Sequence, residues 1–365
     1  MPRPARLPAR ATSHDVAARA GVSQPTVSLV LSSNPKARVA SATRERVLRA
    51  AEELGYRPNV IARSLVRRRS YALGVLVPDL GNQFFADVVS GAERVAAEEG
   101  YAVVLTEQRD APLERQLDAL RARQNDGVIL DAAGASAVPA AAFDGLNVVL
   151  VDRPSNGWPG VASDAEGAGR LAAEHLLALG HRRLAFVGPS TDVHAFRMRE
   201  RGFVRALAAA GVTVASERLR RAPATLEGGQ AAMRALLALP ERPTAVFCAN
   251  DLLALGAHKA CTGLGVAIPR EMSIVGCDDI AFARFVTPEL TTVAVPAREL
   301  GARAARLLVR EIEAAGAGAA AWAGAGAGVR AAGAGSQKPR LLPVKLVVRG
   351  TTAAPAAPAA RGAAR

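Results

Sequence analysis

The chain has 365 residues, half of them hydrophobic and only 4% aromatic, and it carries a formal net charge of +13. This length exceeds what one compact core usually holds and predicts two or three domains. The sequence has no apolar run of about 18 residues, which argues against a membrane span. Residues 1–10 lack the apolar stretch of a secretory signal. We therefore expect a cytoplasmic protein.

Side chains that commonly perform catalysis form no recognisable constellation in this sequence. Cys248, Cys261 and Cys277 contain no CxxC pair and are odd in number, which favours buried free thiols over disulfides or a metal site. The five histidines show no metal-ligand spacing, and neither a Gly-x-Ser-x-Gly nor a phosphate-loop motif occurs. The sequence thus predicts a binding protein without a metal or cofactor, and not an enzyme.

The positive charge is concentrated at the beginning of the chain. Residues 1–70 contain 14 Lys and Arg but only four Asp and Glu, so they account for +10 of the total +13. A small basic unit ahead of a nearly neutral body is typical of a protein that binds a polyanion, most simply DNA. A disordered basic tail is the alternative, which we favour for residues 1–10. Beyond Ala11 the charges lie in sequence with helical periodicity.

Three short helices are predicted in this basic unit, at residues 12–20, 24–32 and 42–54. Gly21 separates the first two helices and can adopt the left-handed conformation that a tight turn requires. Ser23 is a suitable N-cap for the second helix. Two short helices joined by a glycine turn and braced by a third are typical of a unit that places one helix in the major groove of DNA.

Helical periodicity separates a buried face from an exposed face on the second helix. Val27, Val30 and Leu31 recur at spacings of three and four and are expected to be buried. The other face offers side chains that can enter a DNA groove: Gln24, Pro25, Thr26, Ser28 and Leu29. On the third helix we expect the inward residues to be Val47, Leu48, Ala51 and Leu54.

The N-terminal unit resembles the headpiece of the LacI family of bacterial transcription factors. The resemblance covers most of residues 11–70 and rests on Asp15-Val16-Ala17, Ala20-Gly21-Val22-Ser23, Thr26-Val27-Ser28, Arg44-Glu45-Arg46-Val47 and Leu54-Gly55-Tyr56-Arg57-Pro58-Asn59. It implies that Ser23 and the outer face of the second helix contact DNA. The sequence departs from the family at Leu29, where many members carry an arginine. Arginine can pair bidentately with guanine, whereas leucine makes apolar contact, for example with a thymine methyl. The alternative is that Leu29 is one more core residue.

The segment that follows the headpiece resembles the hinge helix of the same family. Asn59 can cap a short helix over residues 60–66, and Arg63 and the arginines after it favour contact with phosphates. The resemblance implies that this helix pairs with its dimer mate in the minor groove. Leu65 would then wedge between the central base pairs, and Ala62 would lie where the paired helices approach. A linker helix packed on the body is the alternative.

From Tyr71 onward, apolar strands alternate with helices, a pattern typical of an α/β domain with parallel sheets. Strands are predicted at residues 72–77, 102–106, 127–130, 147–152, 184–188, 245–249, 273–276, 290–295 and 342–348. Helices are predicted at residues 85–99, 113–124, 165–179, 199–210, 229–239, 251–262 and 297–314. These strands are unusually many for one sheet, so we expect two lobes.

The body also resembles the LacI family over most of its length. The segments that carry this resemblance include Asn82-Gln83-Phe84-Phe85, Asp126-Gly127-Val128-Ile129, Val151-Asp152-Arg153, Gly180-His181-Arg182-Arg183, Cys248-Ala249-Asn250-Asp251 and Gly276-Cys277-Asp278-Asp279. It implies a periplasmic-binding-protein-like type I fold, in which two α/β lobes close on a ligand. We therefore divide the chain into a helix-turn-helix headpiece (11–58), a hinge helix (59–70) and an effector-binding and dimerisation domain (71–350). Residues 314–337, almost pure Ala and Gly, are interpreted as a low-complexity insertion, and residues 351–365 as a disordered tail.

Ligands bind at the carboxyl ends of the strands in open α/β sheets. The residues expected near these ends, which the resemblance matches to the family's effector contacts, are Phe84, Arg153, Asp164, Phe196, Arg199, Asn250 and Asp278. An arginine, carboxylates and an amide can pair with vicinal hydroxyls, and Phe84 can cover an apolar sugar face. For the acids a helix N-cap is the alternative role, which Asp164 and Asp251 both suit. Pro223 stands where sugar-binding members often have an aromatic.

These observations predict a transcription factor, a repressor that binds a pseudo-palindromic DNA operator as a homodimer. Its affinity for DNA is expected to be set by a small, sugar-like effector. Two alternatives stay open at this point. One is a regulator of the same fold controlled by a partner protein. The other is a solute-binding protein, which would need a signal peptide and lack the basic headpiece.

Overall fold

The computed structural model of the chain describes residues 11–31, 39–57, 69–108, 112–131, 140–152, 158–321 and 341–356. Contacts within the chain divide it into two units, Met1–Ser70 and Tyr71–Arg365. Outside the described residues lie the predicted hinge contacts and one predicted effector contact: Asn59, Ala62, Arg63, Leu65 and Arg153.

Residues 11–31 and 39–57 of the N-terminal unit form the three predicted helices, α1 (Ser13–Ala20), α2 (Gln24–Leu31) and α3 (Ser41–Glu53). Helix α1 begins with a capping box, in which the side chains of Thr12 and Asp15 each accept the other's backbone N–H. It ends at Gly21, whose φ of 62° is the left-handed conformation that glycine adopts without strain. The turn between α1 and α2 therefore forms as the sequence predicts.

The three helices meet in a small core of valine and alanine side chains. Val16 of α1, Val27 of α2 and Val47 of α3 are fully buried. Val30 is also buried, and Leu31 is half-buried against the same core, so the predicted inner face of α2 is confirmed at Val27 and Val30 and only in part at Leu31.

The expected inner face of α3 is partly wrong. Val47, Ala50 and Ala51 are buried, and their spacing defines the stripe of α3 that faces the core. Leu48 is 48% exposed because it lies beside this stripe, and Leu54 is 37% exposed because it follows the last residue of the helix.

The body begins with an α/β layer that we call the N-lobe. Its described strands form one parallel sheet in the order β2-β1-β3-β4-β5. The elements are β1 (Ala72–Val77), α4 (Gln83–Glu98), β2 (Ala102–Glu107), α5 (Leu113–Ala122), β3 (Gly127–Asp131), β4 (Val148–Val151) and β5 (Gly160–Val161). Each of β1, β3 and β4 is a short apolar run that is almost wholly buried, as parallel strands covered on both faces are.

A second α/β layer, the C-lobe, follows. Its described strands have the order β11-β10-β9-β8-β6-β7, and all neighbours are parallel except β10 and β11. The strands are β6 (Leu184–Pro189), β7 (Leu219–Ala222), β8 (Ala245–Cys248), β9 (Ser273–Asp278), β10 (Thr291–Ala294) and β11 (Lys345–Val347). The helices are α6 (Ala165–Ala178), α7 (His194–Ala209), α8 (Leu226–Leu237) and α9 (Asp251–Gly263), and α10 (Ala297–Ala321) returns to pack on α4 of the N-lobe.

Every predicted strand and helix of the body is present, and the expected two-lobed α/β architecture is confirmed. Two strands were not predicted. Strand β5 has only two residues, too few to show a pattern. Strand β7 has the sequence Leu-Arg-Arg-Ala and lies at the sheet edge, where charged side chains reach water.

Within the described residues, the chain passes between the lobes near residues 162–164, 295–296 and 341–344. The first and last of these segments are hydrogen-bonded. Leu342 donates its N–H to the carbonyl of Ala162, and Asp164 donates to the carbonyl of Leu342, each at 2.9 Å. Short connections of this kind can bend while the two sheets stay intact, so they form a hinge at the base of the cleft between the lobes.

Helices α6 and α7 of the C-lobe approach each other at two glycines. A Cβ atom on Gly169 would lie 1.8 Å from the carbonyl oxygen of Arg199, and one on Gly202 would lie 1.9 Å from that of Glu166. Only glycine permits this separation. The close packing fixes α7, and with it the Arg199 backbone, against the rest of the lobe.

The prediction of a disordered tail from residue 351 is wrong for residues 351–356. Thr351 is fully buried, its Oγ1 donates to the carbonyl of Ile274 at 2.7 Å, and it accepts the N–H of Thr291 at 2.8 Å. These residues are small, mostly alanine and threonine, and show no periodicity. They become ordered because they continue from β11 alongside β9 and β10.

Residues 314–337 were interpreted as a low-complexity insertion. The structure describes only the first part of this segment, where α10 continues to Ala321.

The three cysteines are buried free thiols, as expected. None of the helices in the described ranges combines the length and apolarity that crossing a membrane would require.

Candidate DNA-binding surface and effector cleft

Helix α2 presents most of the predicted DNA contacts to solvent. Ser23, Gln24, Pro25, Ser28 and Leu29 are exposed, and only Thr26 is half-buried. The start of the helix is held by its own polar groups. Ser23 Oγ accepts the Thr26 N–H at 3.4 Å and lies 2.9 Å from Thr26 Oγ1, which supports the predicted N-cap.

Leu29 lies on the outer face of α2, where a core residue would not be placed. Its side chain is 44% exposed, whereas Val27 and Val30 on the opposite face are buried. The interpretation of Leu29 as one more core residue is therefore wrong. An exposed leucine between polar neighbours can make the apolar contact with a base that the sequence suggests.

In the body, Arg199 lies at the centre of a buried polar cluster. The sequence predicted Arg199 at the start of a helix, but α7 begins at His194 and Arg199 lies in its second turn. Only 2% of the residue is exposed. Its Nη1 donates to the carbonyl of Ala249 at 2.5 Å, and its Nη2 lies 2.9 Å from Asp278 Oδ1. The Phe196 ring stacks against the guanidinium, with 5.3 Å between the ring centroid and Cζ.

Asp278 ends strand β9 and faces Arg199 from the C-terminal edge of the sheet. Its φ of 123° is rare for a residue with a Cβ atom. Burial, opposed by Arg199 and reinforced by the nearby acids Asp251 and Asp152, raises the pKa of its carboxyl to about 7. The carboxyl can therefore exchange a proton near neutral pH.

Asn250 completes what we call the Arg199 cluster (Arg199, Asn250 and Asp278). It is the N-cap of α9, where its Oδ1 accepts the N–H of Leu253 at 3.0 Å, and it is 1% exposed. Among the described residues, Asn250 Nδ2 and Arg199 Nε have no hydrogen-bond partner, and Asp278 Oδ1 lacks one with good alignment. Buried polar atoms in proteins are normally paired. Two donors and one acceptor are thus available to a ligand.

Asp152 lies near enough to the Arg199 cluster to act on it electrostatically, and it was not predicted. It follows β4 in the N-lobe, is buried, and its Oδ1 accepts the N–H and the hydroxyl of Ser163 at 3.0 and 2.8 Å. Its charge acts on Arg199 and Asp278 from the other lobe. The available signal was an acid after a buried strand, the same signal that led to Asp278.

Asp251 has a supporting role rather than the alternative role of an N-cap, because α9 begins at Asp251 itself, one residue earlier than a cap at this position requires. It is fully buried, and it accepts the Thr292 hydroxyl at 2.6 Å and the Ile280 N–H at 2.9 Å. Burial raises the pKa of its carboxyl to about 6, while these two hydrogen bonds lower it.

The remaining predicted effector contacts are not joined to the Arg199 cluster by any hydrogen bond or ion pair found among the described residues. Asp164 caps α6 by accepting the Gly167 N–H at 2.8 Å, the alternative role that we considered for it. Phe84 is 6% exposed and packs in the core that spans both lobes. Pro223 is exposed.

Comparison with known proteins agrees with this geometry. Residues 12–59 match the family described as "Bacterial regulatory proteins, lacI family", and residues 173–352 match "Periplasmic binding protein-like domain". The chain is similar to the HTH-type transcriptional repressor CytR of Escherichia coli K12, with 33% identity over 94% of this chain and 97% of the relative. It is also similar to the ribose operon repressor of Halalkalibacterium halodurans, with 37% identity over 83% and 90% of the two chains.

Among solved structures, the chain resembles the lac repressor dimer bound to operator and the anti-inducer ONPF. The TM-score is 0.78 at 28% identity, and the match covers 95% of this chain and all of that one. A helix-turn-helix unit joined to a two-lobed binding body defines a ligand-responsive DNA-binding regulator. The chain belongs to the LacI family of bacterial transcriptional regulators, and it is a regulator, not an enzyme.

Proposed function

We propose that the protein is a repressor that binds a pseudo-palindromic operator as a homodimer and responds to a small polyhydroxylated effector. The observation that carries this proposal is the Arg199 cluster, a buried polar set in which Arg199 Nε and Asn250 Nδ2 have no hydrogen-bond partner among the described residues. The same chain carries the exposed recognition helix α2. Similarity to a ribose operon repressor favours a sugar or a ribose-containing compound. Such a regulator acts in the cytoplasm, on the nucleoid DNA.

The chemistry of the cluster fits a vicinal diol. Asp278 accepts a hydrogen bond from one hydroxyl, while Arg199 Nε and Asn250 Nδ2 donate to hydroxyl oxygens. Asp152 reaches the same site from the N-lobe, so a bound diol would hold the lobes together. We propose four additional contacts with the effector: Phe84, Phe196, Arg153 and Asp164.

The effector assignment is tested by a thermal-shift screen over sugars, polyols and nucleosides, followed by titration of the best compound. Asp278→Asn should weaken its binding by more than tenfold, because a hydrogen bond to a charged group contributes about 1.5–3 kcal/mol. Glu217→Gln, which changes an exposed acid of the same lobe, is the matched control and should bind like the parent. Equal affinities for Asp278→Asn and the parent would refute the site.

The DNA-binding part of the proposal includes the hinge, where Leu65 is assigned to the wedge at the operator centre. Leu65→Ala should weaken operator binding by roughly tenfold, while salt-sensitive non-specific binding changes little. The bend of the operator, measured by fluorescence transfer between labelled ends, should decrease in parallel. The centre of the operator is expected to carry a flexible pyrimidine–purine step. Unchanged binding and bending would show that Leu65 is only a linker residue.

The dimer is tested by size-exclusion chromatography with light scattering. We expect a dimer at micromolar concentration, because a single headpiece makes too few base contacts for specific binding. A monomer both with and without operator DNA would contradict the proposal.

A further inference from the structure

Four consecutive residues at the rim of the effector cleft, Asp278 to Ala281, are each held by a different part of the chain. We call them the 278–281 loop. Asp278 pairs with Arg199 of α7 at 2.9 Å, and Asp279 Oδ1 pairs with Arg349 Nη2 at 2.5 Å. The Ile280 N–H donates to Asp251 of α9 at 2.9 Å, and the Ala281 N–H donates to Gln83 Oε1 of α4 at 2.9 Å.

The backbone of this loop is strained at two neighbouring positions. Asp278 and Asp279 have φ values of 123° and 58°, which residues with a Cβ atom seldom adopt. A conformation of this kind persists only where the surrounding contacts determine it. The four contacts therefore fix where the Asp278 carboxylate lies relative to Arg199.

Three of the four contacts come from the C-lobe, and the fourth comes from the opposite lobe. Gln83 is the first residue of α4 in the N-lobe, directly after the N-cap Asn82 and before Phe84. Asn82 is buried and accepts the Phe84 N–H at 3.0 Å, which fixes the start of the helix. Since Ala281 belongs to the C-lobe, the hydrogen bond from Ala281 to Gln83 crosses the cleft. Separation of the lobes must break it.

We propose that Gln83 is a positioning residue of the effector cleft. Its amide oxygen accepts the Ala281 N–H across the cleft and holds the 278–281 loop, and so the Asp278 carboxylate, in place while the lobes are together. When the lobes separate, the loop loses its support from the N-lobe. Lobe closure and the geometry of the effector-binding carboxylate are thereby coupled. This inference rests on the proposed function in one respect, the assignment of Asp278 to the effector.

The test is amide hydrogen exchange of the full-length, ligand-free protein, read on peptides that cover residues 279–285. Gln83→Met keeps the length and helix propensity of the side chain but removes the acceptor. Exchange in this segment should become roughly two- to tenfold faster, the effect of losing one ordinary hydrogen bond. Gln83→Glu restores an acceptor and should restore the parent rate. Glu93→Gln, an exposed position on the same helix, should leave the rate unchanged.

The melting temperature of the body distinguishes positioning from a general structural role. It should be nearly the same in Gln83→Met and the parent, because the lost contact is at the surface of the cleft. Parent-like exchange in Gln83→Met would overturn the proposal. Faster exchange throughout the C-lobe with a lower melting temperature would also overturn it, as would failure of Gln83→Glu to restore the parent rate. The exchange experiment contains no effector. A negative thermal-shift screen would therefore count against the proposed function and would not affect the test of Gln83.

Discussion

The headpiece and the effector cleft present their functional side chains in opposite ways. On α2 the predicted base contacts lie on the outer face and do not pack in the headpiece core, and Leu29 is 44% exposed. In the cleft, Arg199, Asn250 and Asp278 are at most 7% exposed and are held by surrounding backbone and side chains. DNA covers a surface from outside, whereas a small ligand must be removed from water on nearly all sides. Substitutions of the contact residues should therefore change DNA binding without changing stability in the headpiece, whereas in the cleft they should change ligand binding and stability together.

The largest effect is expected from removing the buried cation of the cleft. Arg199→Met should lower the free energy of unfolding of the body by about 3–5 kcal/mol, because it leaves the Asp278 carboxylate buried without a partner. The loss should be smaller at pH 5 than at pH 8, because the pKa of Asp278 is raised to about 7 and its carboxyl is protonated at the lower pH. Urea unfolding at both pH values measures this.

The double variant Arg199→Met/Asp278→Asn provides the control for that experiment. It removes both charges, so it should recover part of the lost stability at pH 8. If Arg199→Met is as stable as the parent, the ligand-binding residues of the cleft do not contribute to stability. The proposed difference between cleft and headpiece would then be wrong.

The next effect concerns the backbone that carries Arg199. Gly169→Ala places a Cβ atom against the Arg199 carbonyl and should destabilise the body by about 1–3 kcal/mol, as α6 and α7 are forced apart. Gly263→Ala is the matched control, because no atom lies within 4 Å of a Cβ atom at that helical position. It should be neutral or slightly stabilising. Thermal unfolding of both variants tests the difference, and equal losses would contradict the close packing of α6 and α7.

A smaller, pH-dependent effect is expected where residues 351–353 join the C-lobe. His181 lies 2.9 Å from the Ala353 carbonyl through Nε2, and His175 Nε2 lies 2.9 Å from Thr352 Oγ1. Burial lowers the pKa of both imidazoles below the value of about 6.5 that they have when unfolded. Below pH 6.5 the unfolded chain therefore takes up protons that the folded body excludes, and stability falls as the pH decreases.

His181→Gln should make the stability of the body less dependent on pH between 5 and 7, which urea unfolding across that range would detect. A slope identical to that of the parent would assign the pH dependence to other groups.

The smallest effect on stability is expected on the outer face of α2. Leu29→Ala should change headpiece stability by no more than about 0.5 kcal/mol, whereas Val27→Ala on the inner face should cost about 1–3 kcal/mol. Leu29→Ala should nevertheless change the preferred operator sequence, as selection from a random DNA pool would show. Unchanged preference would mean that Leu29 does not contact a base.

The sequence predicts most of the fold because its signals are local. Apolar runs of four to six residues mark the buried strands, and the glycine turn and serine cap mark the start of α2. Asn250 and Asp278 could be predicted because strand ends converge at one edge of a parallel sheet, whereas Arg199 lies on helix α7 and was suggested by the family resemblance. The family resemblance added roles that these local signals do not contain.

What the sequence missed depends on contacts between distant residues or on a shift of one position. Thr351 is ordered by partners 60 and 77 positions away, which no local pattern encodes. The position of Asp152 was missed because the left-handed φ of 54° at this residue, directly after β4, is not readable from the sequence. Asp251 lies one residue inside α9, a shift within the usual uncertainty of helix ends.

The late addition of β11 to the C-lobe has a consequence for biosynthesis. Domains generally fold from the N-terminus while the chain is being made. The headpiece needs only contacts within its own short segment, whereas the C-lobe sheet gains β11 and the buried Thr351 after all its other strands have been synthesised. The unit that binds DNA is thus complete long before the unit that controls it. A nascent chain interrupted before residue 345 would carry a recognition helix without a finished receptor for the controlling ligand.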